Sequence, residues 1–289
     1  MVFSNILNAV AVSLLAVSAI ASPLPQAHHM HKRADATVGT RGITYSPYTS
    51  TGDCKSTEEV ASDLAQLADY DLIRLYGVDC NQVGNVLQGK AANQTLFLGI
   101  FYVNDIEGGV QTIADAIQQY GSWDDVDTVS VGNELVNDGE ATVAQIGQYI
   151  DTARAALTGA GYTGPVVSVD THVAIIANPG LCALSDYIAF NAHAYFDGNV
   201  VASDAGKWLL GNIQEVSSIC GGKRTAVVES GWPTQGSVNG LAVPSKENQQ
   251  AALSSIAGAC GNDTIAFTAF DDLWKAPGPQ GVEQYWGIY

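Results

Sequence analysis

Basic residues are scarce in this 289-residue chain: 12 Lys and Arg stand against 29 Asp and Glu, a formal net charge of −17 at pH 7. A surface so acidic excludes nucleic acid and anionic membrane as partners, because both carry the same sign of charge. A neutral polymer such as a polysaccharide stays open. Cysteine is limited to five residues, Cys54, Cys80, Cys182, Cys220 and Cys260, and none forms a C-x-x-C pair. That spacing argues against a zinc site or a thioredoxin-type redox site. Histidine is as rare, and three of the five, His28, His29 and His31, share one short segment near the amino terminus. No G-x-S-x-G elbow is present, so the usual Ser–His–Asp hydrolase pattern is missing.

Long apolar runs are also lacking after residue 21. The one that exists, ILNAVAVSLLAVSAIA at 6–21, ends in Ala19-Ile20-Ala21, a small-x-small cleavage pattern. It is short for a membrane span and reads as a secretory signal peptide over 1–21, although MVFSN supplies no Lys or Arg. The following SPLPQAHHMHKR ends in Lys32-Arg33 and reads as a pro-segment over 22–33 removed at a dibasic site. Removing both leaves 10 basic against 29 acidic residues in 34–289. In a secreted chain the five cysteines are expected to form two disulfides and leave one thiol. Asn93-Gln94-Thr95 and Asn262-Asp263-Thr264 become N-glycosylation sites at Asn93 and Asn262.

What the chain has in quantity is alternation. Apolar, β-branched runs of strand length occur at 41–46, 71–77, 95–102, 127–134, 165–172, 187–195, 224–232 and 265–272. Helical patterns lie between them: STEEVASDLAQLADY opens on a Ser/Thr cap with acidic residues in its first turn, and ATVAQIGQYIDTARAALTGAG closes on Gly. Between the fifth and sixth runs only NPGLCALS is available for a short helix. Strands apolar on both faces are parallel strands buried on both sides. Eight strand–helix units in about 250 residues without a linker predict an α/β fold, a single (β/α)8 TIM barrel over 34–289. An open doubly wound sheet is the structural alternative, but no G-x-G-x-x-G or P-loop follows any strand.

Chemistry in such a barrel gathers at the carboxyl ends of the strands. Those ends carry Tyr45, Tyr48, Arg74, Tyr76, Tyr102, Asn133, Glu134, Asp170, His172, Asn191, His193, Tyr195, Glu229, Trp232, Asp271, Asp272 and Trp274. His172 and His193 on separate strands are too few to suggest a metal centre, and neither a metal nor a cofactor is expected. Carboxylates ringed by flat side chains are the equipment for glycosidic-bond cleavage: one acid protonates the leaving oxygen, and another carboxylate attacks or stabilises the sugar. Glu134 and Glu229 are the best pair. Each ends an apolar strand, the fourth (VSVGNE) and the seventh (AVVESGW), across the mouth from one another. Trp232, Tyr76 and Tyr195 are candidate sugar platforms, with Gly231-Trp232-Pro233 turning the chain so that an indole face meets the cleaved bond.

VGNE at 131–134 and ESGWP at 229–233 together resemble the two signature stretches of glycoside hydrolase family 17, the β-1,3-glucanase family. GITYSPY, DLIRLYGVDC, SWDDVDTVSVGNELVN, GYTGPVVSVDT, NAHAYFD, VPSKENQ and GVEQYWGI extend the likeness over nearly all of 34–289. They resemble in particular the fungal subgroup of soluble cell-wall glucosidases and cell-surface mannoproteins. The resemblance implies a secreted, retaining β-1,3-glucan hydrolase or glucanosyltransferase, with Glu134 as acid/base, Glu229 as nucleophile and Asn133 near the sugar 2-hydroxyl. It implies supporting roles for Lys275 and Glu283 in substrate binding. Asp272 stands where plant members carry Glu, and His193 where they carry Tyr. The expected partner is a β-1,3-glucan chain bound by a monomer in the cell wall or extracellular space. A wall mannoprotein with a structural or adhesive role is the alternative, and intact Glu134 and Glu229 argue against it.

Overall fold

The computed structural model describes residues 39–289; the expected signal peptide and pro-segment lie outside the described residues. Strands and helices alternate as β1 (Gly42–Thr44), α1 (Thr57–Gln66), β2 (Leu72–Arg74), α2 (Gln82–Gly89), β3 (Thr95–Ile100), α3 (Ile106–Tyr120), β4 (Val126–Val131) and α4 (Val143–Gly159). The second half continues through β5 (Val166–Val167), β6 (Val169–Thr171), α5 (His172–Ala177), β7 (Ile188–Asn191), α6 (Ala205–Ile219), β8 (Thr225–Ser230), α7 (Lys246–Cys260) and β9 (Thr264–Ala266). Every pairing is parallel, in the order β5-β4-β3-β2-β1-β9-β8-β7-β6. β5 and β6 are one strand interrupted at Ser168: its first half pairs with β4 and its second with β7. The sheet therefore closes through 166–171 into the TIM barrel, and the eight sequence runs are its eight staves.

The helices begin where local chemistry starts them. At α1 the Ser56 hydroxyl accepts from the Glu59 N–H while the Glu59 carboxylate accepts from the Ser56 N–H, and Thr142 with Gln145 repeats this box at α4. The weak fifth crossover is explained too. With β6 running directly into the six-residue α5 and then a 3-10 turn at Pro179–Ala183, there is no room for a full helix. His172, expected at a strand end, is the first residue of α5.

Two apolar clusters hold the barrel. The smaller consists of Leu72, Phe97, Val167, Val169, Tyr187, Ala189, Ala226, Val228 and Ile265, almost all of them strand residues, and fills the interior. The larger joins the outer strand faces to the helices. Cys54 pairs with Cys80 and Cys182 with Cys220, while Cys260 is free, which gives the two disulfides and one thiol expected of the five cysteines. Asn93 and Asn262 are both exposed.

Candidate active site

Glu229 sits inside β8, opposite Asn191 of β7, and is buried. Burial raises the pKa of a carboxylate, so a partner must compensate. That partner is Arg74, the last residue of β2, itself buried. Its Nη1 donates to Glu229 Oε1 at 2.9 Å and to the Val228 carbonyl at 2.7 Å, and it lies 3.3 Å from Asn191 Oδ1; Nη2 donates to Asn133 Oδ1 at 3.0 Å. The guanidinium stacks 4.6 Å from the Tyr76 ring centroid and 5.3 Å from that of Phe97, which fixes its plane. His193 Nε2 approaches Glu229 Oε2 at 3.4 Å. Desolvation alone would push Glu229 up; the Arg74 cation, followed by His193, reverses this and holds it at about 2.

Glu134 lies just past β4. Gly132 (φ 72°) and Glu134 (φ 57°) both take left-handed backbone, and the Glu134 N–H donates to the Val169 carbonyl at 2.9 Å. Positive φ costs a residue with a Cβ, and here it swings the Glu134 side chain back over the barrel mouth. Asn191 Nδ2 donates to Glu134 Oε1 at 2.7 Å and lies 3.2 Å from Asn133 Oδ1. Burial first, and then the negative charge of Glu229, raise Glu134 to about 7, against the lowering effect of the Asn191 amide. One carboxylate thus keeps its proton near neutrality while the other is ionised, and a single Arg74–Asn191 bridge ties them together.

Both glutamates open into a cleft of about 460 Å³ whose walls include Tyr48, Tyr76, Phe101, Tyr102, Asn133, Trp274, Lys275 and Glu283. Tyr48 packs on Trp274 at 4.9 Å and Phe101 on Tyr102 at 5.3 Å between ring centroids, giving two aromatic pairs. Tyr102 is 69% exposed, Phe101 44% and Trp274 38%, so their faces are available to a ligand.

Residues 42–287 match the family model described as BtgE/BtgC glycoside hydrolase domain. The chain belongs to this family, within glycoside hydrolase family 17. Over 251 residues it is 64% identical to the probable family 17 glucosidase SCW4 of Saccharomyces cerevisiae, covering 86% of this chain and 65% of that protein. It is 58% identical to the cell surface mannoprotein MP65 of Candida albicans, covering 87% of this chain and 67% of that one. It is 37% identical to the probable beta-glucosidase btgE of Aspergillus fumigatus, with 88% and 46% covered. The chain therefore spans between about half and two thirds of the length of these relatives. A glycoside hydrolase family 17 beta-1,3-glucanosyltransferase from Rhizomucor miehei shares the fold at a TM-score of 0.73 and 22% identity, with 87% of this chain and 93% of that chain covered.

Of the residues expected to contact sugar in this family 17 chain, Asn133, Tyr76, Lys275 and Glu283 line the cleft beside Glu134 and Glu229. Trp232 and Tyr195 do not. Trp232 has no exposed surface, and its Nε1 donates to the Val243 carbonyl at 3.0 Å. Tyr195 is equally buried, with its hydroxyl donating to the Ser237 carbonyl at 2.6 Å. The two rings meet edge-on at 6.0 Å, so together they brace the 237–243 loop from beneath instead of presenting a face to ligand. Lys275 is paired within the cleft wall, with Asp272 and not with Glu229. Its ammonium lies 2.8 Å from Asp272 Oδ2 and above the Phe267 and Trp274 rings. Asp272 also accepts from Trp274 Nε1 at 3.1 Å, so this carboxylate holds a cation and an indole in the cleft wall. Arg74 is the residue whose role sequence reasoning missed. Its signal was present in DLIRLYG: an arginine inside an apolar strand must be paired with a buried acceptor.

Proposed function

We propose that this chain is a retaining β-1,3-glucan glycosidase or glucanosyltransferase in which Glu229 is the nucleophile and Glu134 the acid/base. The observation that carries this reading is a pair of carboxylates opening into one cleft and joined by the Arg74–Asn191 bridge, with Arg74 holding Glu229 low, at about 2, while burial and the Glu229 charge raise Glu134 to about 7. In the first step a Glu229 oxygen attacks the anomeric carbon, the glycosidic C–O bond breaks, and Glu134 gives its proton to the leaving oxygen. The ester formed on Glu229 carries no charge. The repulsion that raised Glu134 is then gone, and its carboxylate can take a proton from the acceptor hydroxyl as that oxygen displaces Glu229. Water as acceptor gives hydrolysis; a second sugar gives transfer.

Arg74 holds one oxygen of Glu229 in place through both steps. Asn133 has its side-chain carbonyl committed to Arg74 and Asn191, which leaves its amide N–H groups for a sugar hydroxyl. The exposed Tyr102, Phe101 and Trp274 faces suit the apolar faces of pyranose rings. A glucoside as substrate is supported by the glucosidase names of the relatives, and β-1,3-glucan by a Rhizomucor miehei structural neighbour, a beta-1,3-glucanosyltransferase solved with laminaritriose. Action at the cell surface or wall is supported by the mannoprotein relative and by the leader-like sequence at 1–21. Two measurements test the reading. Incubation with laminarin oligosaccharides, resolved by size, should give shorter products alone for hydrolysis and longer ones for transfer. A 2-deoxy-2-fluoro-β-glucosyl donor should leave its label on the peptide containing Glu229, and a label found on any other residue would overturn the assignment.

A further inference from the structure

Outside the cleft, a second groove of about 510 Å³ runs along α6, bounded by Asn199 and Val200 on one side and by Asp204, Lys207, Trp208, Gly211, Asn212 and Glu215 of the helix region on the other. We propose that this groove is a second binding site for a β-1,3-glucan chain, with the Trp208 indole as its platform. The identity of the polymer rests on the function proposed above; the presence of a platform does not.

Asp204, Trp208, Gly211 or Asn212, and Glu215 recur at helical spacing, so they share one face of α6. The indole on that face is held from two directions. Its Nε1 donates to Asp197 Oδ2 at 2.7 Å, and His172 meets it edge-on at 5.2 Å and 84°. A fixed ring pays little ordering entropy when a sugar stacks on it. Gly211, one turn further on, has nothing within 4 Å of where a Cβ would stand, so the surface beside the ring is open. Asn199 is tied to Asp197 by its backbone N–H at 3.2 Å and its side-chain amide at 3.0 Å, which presets the opposite rim. The charged groups on the groove are two carboxylates, Asp204 and Glu215, and one ammonium, Lys207. Mixed charge around a flat ring offers donors and acceptors to hydroxyl groups and favours neither a polyanion nor a polycation.

A short run of contacts links the groove to the catalytic site. Asp197, which holds the indole, follows Phe196, whose ring is 48% exposed and packs 6.2 Å from His193 and 5.8 Å from Trp286. His193 in turn touches Glu229. The dipeptide 196–197 therefore connects His193, which touches Glu229, to the carboxylate that holds the Trp208 indole.

The test compares the full chain with Trp208→Ala and Gly211→Leu. The second places a side chain over the groove from a position where its Cβ meets nothing, so it cannot fail by disturbing the core. Both variants are measured for sedimentation with insoluble linear β-1,3-glucan and for kcat/KM on an activated aryl β-laminaribioside too short to reach α6. Affinity for the insoluble glucan is expected to fall about fivefold to tenfold in each variant, the loss of one ring contact, while the short substrate is turned over as in the wild type. Unchanged glucan binding in Gly211→Leu would overturn the proposal, and so would an equal loss on the short substrate. A wild-type chain that binds the glucan through Trp208 but cleaves neither substrate would leave the platform standing and sink the catalytic reading.

Discussion

Replacing Glu134 by Gln should make the protein more resistant to unfolding at pH 8 and leave its margin at pH 4 little changed. The native pKa of Glu134 is raised from 4.5 to about 7. A difference of about 2.5 units, at about 1.4 kcal/mol per unit, corresponds to roughly 3 kcal/mol. The sign follows from the direction of the shift. Below pH 4.5 the carboxyl is protonated in both folded and unfolded chains, and its contribution is fully present. Between 4.5 and 7 the unfolded chain ionises freely, whereas the native one must place a charge in a buried site beside Glu229, so stability is lost as pH rises through 7. Glutamine keeps the acceptor for Asn191 and removes the charge. The variant-minus-wild-type difference should therefore climb by about 3 kcal/mol from pH 4 to pH 8, or roughly 6–12 °C in Tm for a domain of this size. Thermal melts of both proteins across that range measure it. A difference that stays flat with pH would refute the assignment of a retained proton to Glu134.

Arg74→Met should raise the pKa of Glu229 above the ordinary carboxylate value, move the acid limb of the pH–rate profile upward, and cost about 3–5 kcal/mol through a broken buried pair; an unmoved acid limb in the folded variant would contradict it. Glu229→Gln should abolish turnover and, although nearly isosteric, also destabilise the fold at pH 7 by leaving Arg74 unpaired. Because the Glu229 pKa is depressed to about 2, that disadvantage should hold above pH 4.5 and fade as pH falls toward 2, and the double variant with Arg74→Met should melt above either single variant. Removing the Cys182–Cys220 disulfide, which spans 38 residues, should cost about 4 kcal/mol on the chain-entropy account, read from urea midpoints. Cys260 should be the one thiol in 39–289 that a maleimide labels without prior reduction.

The barrel was legible because its strands are apolar throughout and most of its helices open on a side-chain cap, and both signals are local. The break at Ser168 was not, since PVVSVDT reads as one strand and only closure of the ring assigns its two halves to different neighbours. Glu134 and Glu229 stood out as carboxylates at the ends of dry strands. Trp232 and Tyr195 looked alike in sequence, near a strand end and aromatic, yet which way such a ring turns depends on the loop packed over it. Here the 237–243 loop supplies carbonyl acceptors and takes both inward. Arg74 demanded a partner, but the partner stands 155 residues away, and spacing along the chain carries no information about that contact.

The left-handed backbone at Glu134 sets two selection pressures against each other. Glycine takes φ near +57° without strain and asparagine with little, and neither would bury a carboxylate there. A variant library propagated for heat resistance alone should drift toward Gly and Asn at position 134, and each step of that drift would discard the carboxyl proposed as proton donor. Lineages kept under a requirement for growth on glucan should hold Glu and collect their stabilising changes on the outer helices instead. Sequence variation at position 134 therefore records whether a lineage has been living by its chemistry or only by its persistence.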